Sequence, residues 1–480
     1  MPKNKTISLF FMPRSLCGLL IAAALGGCAV GPAYERPEAA SSAAWKELPT
    51  APGWVPATPA DAMARGEWWK LFGDPVLDQL AERVQVDNQN IAVAVAAYTQ
   101  AQAAVREQRA SLFPTVSLSA STRRSGQTGG GASGATGSSS AALGASWEPD
   151  LWGRLRASVS SAQAQAQASE ADLAAARLSM LGSLAINYFS LREADVELAT
   201  LSTTIDGYER SLTIARNRYE AAIAAQTDVL QAQTLLANAR QQRAALMRDR
   251  ATSEHAIAVL TGVPPANFSL PVAEWKPVVP IVSPGLPSEL LQRRPDIAAA
   301  ERAVAAANEQ IGIQRSAYFP SFTFDASLGR STTRWSDLFN ASNALWSLGL
   351  SLTQVVFDAG AIGARVDQAK GAHEGAVASY RQTVLAAFQA VEDQLTALDS
   401  LAEQVAQSRA ASAAADRTEQ QTDNRYRAGQ VNYTDVVVAQ VSALNARRSV
   451  LQLQVAQQIA AIGLIQALGG GWQASWMAPQ

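Results

Sequence analysis

Two short stretches of this chain carry the same chemically capable residues at the same spacing. These residues are Arg218, Tyr219, Thr227 and Asp228 in the first stretch and Arg425, Tyr426, Thr434 and Asp435 in the second. Thr and Asp at the start of a helix cap exposed backbone N–H groups. Aspartates gathered around one axis would instead form a negative ring that attracts cations. Both interpretations, a cap and a charged constriction, remain open from the residues alone.

The partner residues in each stretch could hold neighbouring turns together. Arginine and tyrosine side chains form strong, charge-assisted hydrogen bonds when they meet carboxylates or carbonyls. The repetition also extends beyond them, because Asn238-Ala239-Arg240 and Gly262 recur as Asn445-Ala446-Arg447 and Gly469 at the same shift of 207 residues. The chain therefore reads as two tandem copies of one unit, and the doubled stretch is the turn of a helical hairpin.

Other chemistry is scarce in the sequence. The two histidines, His255 and His373, have no partner at metal-ligand spacing, which argues against a zinc site. No P-loop, nucleophile elbow or dinucleotide-binding turn is found, and acidic residues are spread along helical runs. We therefore expect neither an enzyme nor a bound cofactor or metal.

Composition points to long helices rather than a thick core. The 480 residues include 39 basic and 41 acidic side chains, a balance that predicts no nucleic-acid partner. The hydrophobic fraction is 48%, much of it alanine, and aromatic residues make up only 7%. Such a mixture is typical of slim helices packed through small side chains.

The N-terminus has the pattern of a targeting segment. Basic residues (Lys3, Lys5 and Arg14) precede a short apolar run, and Leu25-Gly26-Gly27-Cys28 resembles a bacterial lipobox. We predict a signal peptide over residues 1–27 and lipid attachment at Cys28; the alternative is an ordinary secretory signal. Cys28 would then be the single cysteine of the mature protein, which excludes disulfides. Ala29 follows it and favours the outer membrane.

Residues 28–75 read as a Pro/Ala/Ser-rich tether that ends in Trp68-Trp69 and Asp74-Pro75. A helical pattern then runs from Val76 to about Leu112, where Phe113-Pro114 stops it. A second set of matches, ending in Phe319-Pro320, recurs at a shift of 206 residues. No apolar run of about 20 residues lies outside the signal, so the sequence predicts no transmembrane helix.

After each Phe-Pro pair, the period changes from helical to alternating. Apolar residues alternate with Thr, Ser, Asp or Gly in two predicted β-hairpins, 114–149 and 320–357, and the first hairpin has a Gly/Ser-rich loop from Gly126 to Ser140. Each strand is long enough to cross a bilayer, apolar outside and polar inside. The alternative is a pair of soluble hairpins with one buried face.

Membrane strands would force the chain to oligomerise. Four strands cannot close a barrel, since the smallest known barrels have about eight, and an open sheet edge is not tolerated in lipid. A dimer would supply eight strands and a trimer twelve.

The remaining segments are proline-free and helical. Leucine and alanine recur at heptad spacing from Leu184 to Ala222, which predicts a coiled-coil seam. A helix from about Leu155 to Ala222 reverses near 223–227 and returns to about Leu260. The second copy runs from about Ile362 to Ala428, turns at Gly429 and returns to about Leu468. Asp150 and Asp358 precede these helices and read as helix caps.

The expected fold class is mainly α with membrane β, arranged as two tandem structural repeats. Repeat 1 spans 76–262 and contains a long helical hairpin at 152–262. A Pro-rich connector covers 263–295. Repeat 2 spans 296–469 with its helical hairpin at 360–469, and a tail covers 470–480.

Several motifs together resemble the TolC/OprM-type outer membrane factors, especially the NodT-like lipoprotein branch. They are the lipobox, Trp68-Trp69 with Phe72-Gly73-Asp74-Pro75-Val76-Leu77, the two Phe-Pro strand entries, Pro287-Ser288-Glu289-Leu290-Leu291-Gln292-Arg293-Arg294-Pro295-Asp296-Ile297 and the doubled turns. The match covers nearly all of the mature chain, and Arg-Arg-Pro-Asp-Ile is its most specific segment.

The resemblance implies a homotrimer with a twelve-stranded outer-membrane β-barrel, continued by a periplasmic α-barrel with a belt around its middle. It also implies lipid contact, a periplasmic adaptor (membrane fusion protein) and an inner-membrane pump of the resistance–nodulation–division (RND) type. The function implied is the exit duct of a tripartite efflux system that exports drugs and other small toxic compounds. Passage through the duct is passive.

The resemblance further implies a gate at the periplasmic tip. Asp435 matches the first acidic ring of the family pattern, whereas the second ring position is Val438 and a basic gate-linking position is Val431. These departures favour closure by apolar packing. Two alternatives remain: a channel for protein secretion, and a lipid-anchored periplasmic coiled-coil scaffold without a pore.

Overall fold

The computed structural model describes residues 30–39, 44–47, 65–126, 136–282, 287, 293–333 and 344–472. The signal peptide 1–27 and the lipid-attachment residue Cys28 lie outside this part of the chain. Backbone contacts divide the chain into two compact units. The first unit comprises residues up to 38 with 98–169 and 299–380; the second comprises 39–97, 170–298 and 381–480.

Before the first strand, the described residues form a 3-10 helix (Arg65–Phe72) and two α-helices, α1 (Pro75–Asp87) and α2 (Gln89–Ala110). The sequence pattern predicted one helix from Val76 to about Leu112, and that prediction is wrong at residue 88. Asn88 has extended backbone angles, and its side-chain oxygen accepts from the N–H groups of Asn90 and Ile91 at 2.9 and 3.1 Å. The side chain thus caps α2 and interrupts an otherwise continuous helical pattern.

The four strands are β1 (Thr115–Ser125), β2 (Thr136–Trp147), β3 (Ser321–Thr332) and β4 (Ala344–Thr353). They form one antiparallel sheet in the order β1-β2-β3-β4. The two hairpins of the two repeats are therefore joined, because β2 pairs with β3 from Ser139 opposite Thr332 to Trp147 opposite Phe324. Strands β1 and β4 are the two edges.

The register places the large apolar strand residues on one face, with Leu345 of β4 as the exception. That face carries Val116, Leu118, Leu143, Phe324, Leu328, Trp346, Leu348 and Leu350. The opposite face is polar, and its serines pair across strands: Ser121 with Ser140 at 2.9 Å and Ser327 with Ser347 at 2.8 Å between Oγ atoms. A sheet that is apolar on one side and polar on the other matches the pattern of membrane strands.

The first loop is shorter than the sequence suggested. The prediction placed a loop from Gly126 to Ser140, but β2 begins at Thr136, and Thr136 pairs with Ser125. Small residues that favour loops are accepted here because the cross-strand ladder satisfies their backbone groups.

The long helices form two antiparallel hairpins. They are α3 (Arg154–Glu220) and α4 (Gln226–Leu260) in the first repeat, and α6 (Ala361–Arg427) and α7 (Tyr433–Ala467) in the second. Helix α5 (Pro295–Ser316) corresponds to α2. The predicted ends differ from these bounds by only a few residues, since turn-forming residues mark them in the sequence.

The predicted heptad seam is buried along most of α3. Leu184, Leu191, Leu201, Ile205 and Leu212 are each less than a tenth exposed. Within the described residues, one helix, Tyr433–Ala467, is long and apolar enough to cross a membrane by length and composition alone. Of its apolar window 44% is buried, and a core helix passes the same test, so the prediction of no transmembrane helix stays a prediction.

A buried ion network holds the start of the connector against α3. The Asp195 carboxylate is fully buried and accepts from Arg192 at 2.9 Å and from Arg250 at 2.6 Å. The two arginines also donate to the carbonyls of Pro271 and Leu270, at 2.9 and 2.7 Å. Residues 268–282 of the connector lie outside helices and strands, so these side chains satisfy part of their backbone.

The two repeats use the same joint between their first and last helices. Asn88 donates to the Leu260 carbonyl at 2.8 Å, and Arg294 donates to the Ala467 carbonyl at 2.9 Å. A glycine follows each helix end; a Cβ on Gly262 would lie 2.5 Å from the Asp87 carbonyl oxygen, and one on Gly469 would lie closer still to that of Arg293. This close approach explains why both positions are glycine.

Within the first unit, residues 30–38 lie along α5. The Asn308 side chain donates to the Pro32 carbonyl at 3.0 Å, and the Tyr34 hydroxyl donates to the buried Glu301 carboxylate. The Arg302 guanidinium, which also pairs with Glu301, lies 5.7 Å from the Tyr34 ring centre. The segment that follows Cys28 is therefore bound along α5 by polar contacts.

Candidate functional site

The site predicted from the doubled stretch is formed by the two turns that end the helical hairpins. In the first turn, the N–H of Ile223 donates to the Arg218 carbonyl at 2.8 Å, and Ala222 has a φ of 56°. In the second, Gln430 donates to the Arg425 carbonyl at 2.9 Å, and Gly429 has a φ of 73°. Both helices therefore end in the same left-handed turn, once on alanine and once on glycine.

Thr227 and Asp228 lie inside the returning helix rather than in front of it. Helix α4 begins at Gln226, so Asp228 is its third residue, and the cap position is Ala225, which has no side-chain acceptor. Neither Thr227 nor Asp228 therefore occupies the cap position of this helix, which was one of the two interpretations of these residues. The helix starts earlier because the preceding turn ends at residue 225.

Asp435 has the equivalent position in α7 but does bond to the backbone. Its carboxylate accepts from the N–H of Asn432, the cap residue, at 3.2 Å. This is the reach-back half of a capping box, which stabilises the helix start and places a negative charge near the positive end of the helix dipole. The carboxylate remains exposed, whereas Asp228 is partly buried.

The two turns of one chain are bound to each other by side chains. The Arg218 guanidinium lies 4.7 Å from the centre of the Tyr426 ring, and its Nη1 is 3.5 Å from the Tyr426 carbonyl oxygen. The Thr434 hydroxyl donates to the Gln231 side chain at 3.2 Å. The contacts thus join repeat 1 to repeat 2, and a cation over an aromatic face is attractive even when partly solvated.

The doubled residues are not used symmetrically. Tyr426 is buried at 6% exposure, whereas Tyr219, its counterpart, is 46% exposed. Arg425 is likewise exposed, while Arg218 is partly buried. Tyr219 and Arg425 are therefore available to surfaces outside the chain.

Val431 and Val438, which stand where the family pattern has charged residues, differ in exposure. Val431 is half-buried and packs, together with Val437, against a buried cluster at the tip that includes Leu212 and Val436. Val438, in contrast, is 65% exposed. The interior of the tip is thus held by apolar packing, and one valine faces outward.

Sequence reasoning named Tyr426 but missed that it belongs to a group of three tyrosines beneath the turns. Tyr208, Tyr426 and Tyr433 are all buried, their hydroxyls have no hydrogen-bond partner among the described residues, and the rings of Tyr426 and Tyr433 lie 5.3 Å apart. Burial raises the pKa of Tyr433 and of Tyr208 to about 12 each. Only the heptad position of Tyr208 signalled this cluster.

A small cavity of about 160 Å³ opens beside these rings. It is lined by Ser211, Ile214, Arg218, Asp423, Tyr426, Arg427, Tyr433 and Val436. A larger groove of about 410 Å³ lies between α4 and α7, lined mainly by Thr227, Leu230, Thr234, Asn238 and Val441. The tip therefore offers polar hydroxyls and apolar side chains together.

Just behind the tip, each helical hairpin is closed by the same ion pair. Arg240 of α4 pairs with Glu209 of α3 at 2.7 Å, and Arg447 of α7 pairs with Asp416 of α6 at 2.7 Å. Arg447 also reaches Glu419 at 2.7 Å. The repeated Asn-Ala-Arg landmark in the sequence thus contributes the arginine that joins the two helices of each hairpin.

Asp150 and Asp358 lie between the sheet and the long helices. Asp150 accepts from the N–H groups of Leu155 and Arg156 at 3.0 and 2.9 Å. Asp358 accepts from Gly360 at 2.9 Å and Ile362 at 2.6 Å, and these bonds lower the pKa of its carboxyl. Both side chains bind the first exposed N–H groups from positions ahead of the usual cap residue.

The described residues contain no group of three or more His, Cys, Asp or Glu side chains that could hold a metal ion. The chemistry available at the tip is therefore charge, hydrogen bonding and apolar contact.

Known proteins match this chain over almost all of its length. The family described as "Outer membrane efflux protein" matches the chain twice, at residues 80–263 and 286–470. The probable efflux pump outer membrane protein TtgC of Pseudomonas putida is 33% identical over 96% of each chain. The pyoverdine export outer membrane protein OpmQ of Pseudomonas aeruginosa is 34% identical over 94% of this chain and 95% of that one.

Solved structures also match this chain over most of its length. The outer-membrane channel OprN has a TM-score of 0.82 at 30% identity, and the match covers 93% of this chain and all of that chain. The outer membrane channel MtrE of Neisseria gonorrhoeae, solved in an open state, has a TM-score of 0.81 at 28% identity, with 93% and 99% covered. The two family matches agree with the two structural repeats.

Proposed function

This chain belongs to the outer membrane efflux protein family, and on that premise we propose that three copies of it form the exit duct of a tripartite RND-type efflux pump. As a family member it is an outer-membrane channel. The proposal adds the trimer, the adaptor and inner-membrane pump as partners, and small toxic compounds as cargo. The duct itself is passive and catalyses no reaction.

The observation that carries the trimer is the pair of open sheet edges. Among the described residues the sheet has four strands, and β1 and β4 each have one side without a partner strand. Unpaired backbone groups cost several kcal/mol each in lipid, so a membrane sheet must close on itself. Three chains give a twelve-stranded barrel, within the size range of known barrels.

The cargo is inferred from the relatives. A second TtgC of Pseudomonas putida is described as a toluene efflux pump protein, ArpC as an antibiotic efflux pump protein and OpmQ as a pyoverdine export protein. The three names thus give different cargoes for proteins of one family. We infer that selection is made by the pump, and that the duct conducts what the pump delivers.

The turns at the hairpin ends are proposed as the gate. In a trimer, six turns would surround one axis, each repeat contributing one aspartate per chain. Asp435 is exposed and supplies the charge, while the Arg218–Tyr426 contact and the Val431 packing hold the turns of each chain together. Opening would require these intrachain contacts to rearrange.

The full-length acylated protein tests the proposal directly. It is expected to run as a heat-labile trimer and to give single-channel conductance in planar bilayers. In a strain that lacks its own duct, it should restore export of a dye only when a cognate adaptor and pump are present. A monomer that conducts no ions, or dye export without any pump, would overturn the proposal.

A further inference from the structure

The apolar face of the sheet carries two arginines that the channel function does not explain. Among the described strand residues, Arg124 and Arg330 are the only charged side chains on that face. Arg123 and Asp325, the neighbouring charges, belong to the opposite, polar face by strand alternation. Charged side chains on a lipid-facing surface are costly near the middle of the bilayer and tolerated near its borders.

Both arginines lie at the end of the sheet that is far from the helices. Arg124 is eight residues beyond Val116 in β1, and Arg330 is eight residues beyond Phe322 in β3. Eight residues rise by about 26 Å along a strand, or roughly 20 Å across the membrane after strand tilt, close to the ~25 Å apolar band of such barrels. The helices are periplasmic in this family, so this end faces the outer leaflet.

Both copies of the duplicated sequence have arginine at this position, although most other apolar-face residues of the two strands differ. Arg124 and Arg330 are 206 residues apart, the shift that relates the two Phe-Pro strand entries. Between entry and arginine, the apolar-face residues are Val116, Leu118, Ala120 and Thr122 in β1 but Phe322, Phe324, Ala326 and Leu328 in β3. In a trimer, the pair would give six arginines spaced around the outer rim.

The residues paired with the two arginines are small. Arg330 lies between Ala141 of β2 and Ala344 of β4, and Arg124 lies opposite Gly137. Trp346, which is 79% exposed, is the diagonal neighbour of Arg330, paired with Leu328 one step nearer the membrane centre. An exposed tryptophan of this kind marks the interface between apolar lipid and headgroups.

We propose that Arg124 and Arg330 bind the phosphate groups of the phosphorylated glycolipid that fills the outer leaflet. A guanidinium binds a phosphate through two parallel N–H···O bonds. The small neighbours let the sugar ring rest on the sheet, and the acyl chains would cover the apolar rows beneath. The site rests on the sheet being the membrane portion of the protein and is independent of what the duct transports.

The test uses the full-length trimer in detergent, with purified bis-phosphorylated lipid A as the probe. Lipid A is expected to raise the temperature of trimer dissociation by about 3 °C or more, as for any ligand of the native state. Fully dephosphorylated lipid A should give less than half of that shift, and inorganic phosphate alone should give none. Equal shifts from both lipids, or a full shift from free phosphate, would overturn the proposal.

Variants locate the site. Arg124→Gln/Arg330→Gln should abolish most of the lipid A shift, whereas Arg124→Lys/Arg330→Lys should retain part of it and Arg123→Gln, the adjacent arginine on the polar face, all of it. Unchanged single-channel conductance of the glutamine variant would show that the barrel has formed. A full lipid A shift in that variant, or loss of the shift in Arg123→Gln, would contradict the assignment.

Discussion

Asp435 both bonds the start of its helix and places a negative charge at the tip, and one substitution can remove the charge but keep the bond. Its carboxylate accepts from the Asn432 N–H and is also exposed at the tip of the second hairpin. Asparagine keeps a side-chain oxygen that can accept the same bond, but it removes the charge. The conservative variant therefore tests the proposed charged constriction without removing the cap.

Asp435→Asn is expected to reduce cation over anion permeability by up to about fivefold, because an ion 4 Å from a unit charge in water gains about 1 kcal/mol. Reversal potentials in a salt gradient across a planar bilayer measure this ratio. Asp249→Asn, an exposed carboxylate on α4, serves as the control and should leave it unchanged. Equal selectivity in all three proteins would mean that Asp435 serves only the helix start.

The two turns predict that exchanging alanine and glycine changes the free energy of unfolding in opposite directions. Ala222 has a φ of 56°, a left-handed conformation that costs a non-glycine residue roughly 1–2 kcal/mol. Ala222→Gly should therefore raise the free energy of unfolding slightly, by about 0.5 kcal/mol after the entropy of glycine is subtracted. Gly429→Ala should lower it by about 1 kcal/mol.

Denaturant unfolding of the two variants under one set of conditions measures this difference. Both residues are exposed, and no atom lies within 4 Å of a Cβ built on Gly429, so packing does not confuse the comparison. Stabilities that change in the same direction would show that the turns relax to other backbone angles.

Glu193 predicts a pH dependence of stability. Burial, together with the nearby Glu197 carboxylate, raises the pKa of Glu193 to about 7, and Arg448 partly opposes this. A raised folded-state pKa means that the native protein holds a proton that the unfolded chain has lost. Stability is then highest below the unfolded pKa of 4.5, falls as pH rises to about 7, and stays low above it.

Glu193→Gln removes that titration. The variant should be more stable than the parent at pH 8, by roughly 1–3 kcal/mol, since one pKa unit corresponds to about 1.4 kcal/mol and partial exposure reduces the effect. At pH 4.5 the two proteins should unfold at nearly the same temperature. Glu220→Gln, an exposed control, should show no such difference, and a gain that is equal at both pH values would contradict the assignment.

At the scale of elements, charged side chains satisfy backbone carbonyls of the connector that no helix or strand satisfies. Asp195 is fully buried between Arg192 and Arg250, which in turn hold the carbonyls of residues 270 and 271. Removing one partner of a buried ion network leaves an uncompensated charge in the interior. Exposed pairs, in contrast, contribute little.

Asp195→Ala is expected to lower the free energy of unfolding by about 3–5 kcal/mol, and to expose the connector to limited proteolysis within residues 263–282. Asp249→Ala, which breaks the exposed pair with Arg248, should cost no more than about 1 kcal/mol. Should Asp195→Ala fail to fold, Asp195→Asn allows the same comparison with a smaller loss. A cost for Asp195→Asn no greater than that of Asp249→Ala would show that the network is dispensable.

The two helical hairpins show how a duplicated element keeps its function while its residues change. The arginine of each Asn-Ala-Arg landmark joins the two helices of its hairpin, to Glu209 in one copy and to Asp416 in the other. At the joint near the connector, Asn88 and Arg294 bond equivalent carbonyls through different side chains. The backbone geometry is what the duplication preserves, and several side chains can satisfy it.

At the scale of the whole molecule, the sheet is the incomplete part. The helices of the protein bury apolar seams within one chain, whereas among the described strands β1 and β4 each leave one edge unpaired. Edges of this kind are incompatible with lipid, so the functional unit must contain several chains. In the proposed trimer, strand edges of neighbouring chains would pair in the membrane, and the hairpin turns would surround one axis.

The sequence by itself determined the repeats, the hairpins and most element ends. These follow from local signals: a heptad seam, strict alternation after each Phe-Pro pair, and proline or glycine at boundaries. It misjudged local details such as the helix break at Asn88, where one capping side chain outweighs a continuous helical pattern.

Only the tertiary structure decided which of the doubled residues meet. The sequence presents Arg218 and Arg425, or Tyr219 and Tyr426, as equivalent pairs, yet the structure joins Arg218 to Tyr426 across the repeats and leaves Tyr219 exposed. It also gathers Tyr208, Tyr426 and Tyr433 from separate helices. Contacts between residues more than 200 positions apart depend on helix register and packing, which leave no periodic signal in the chain.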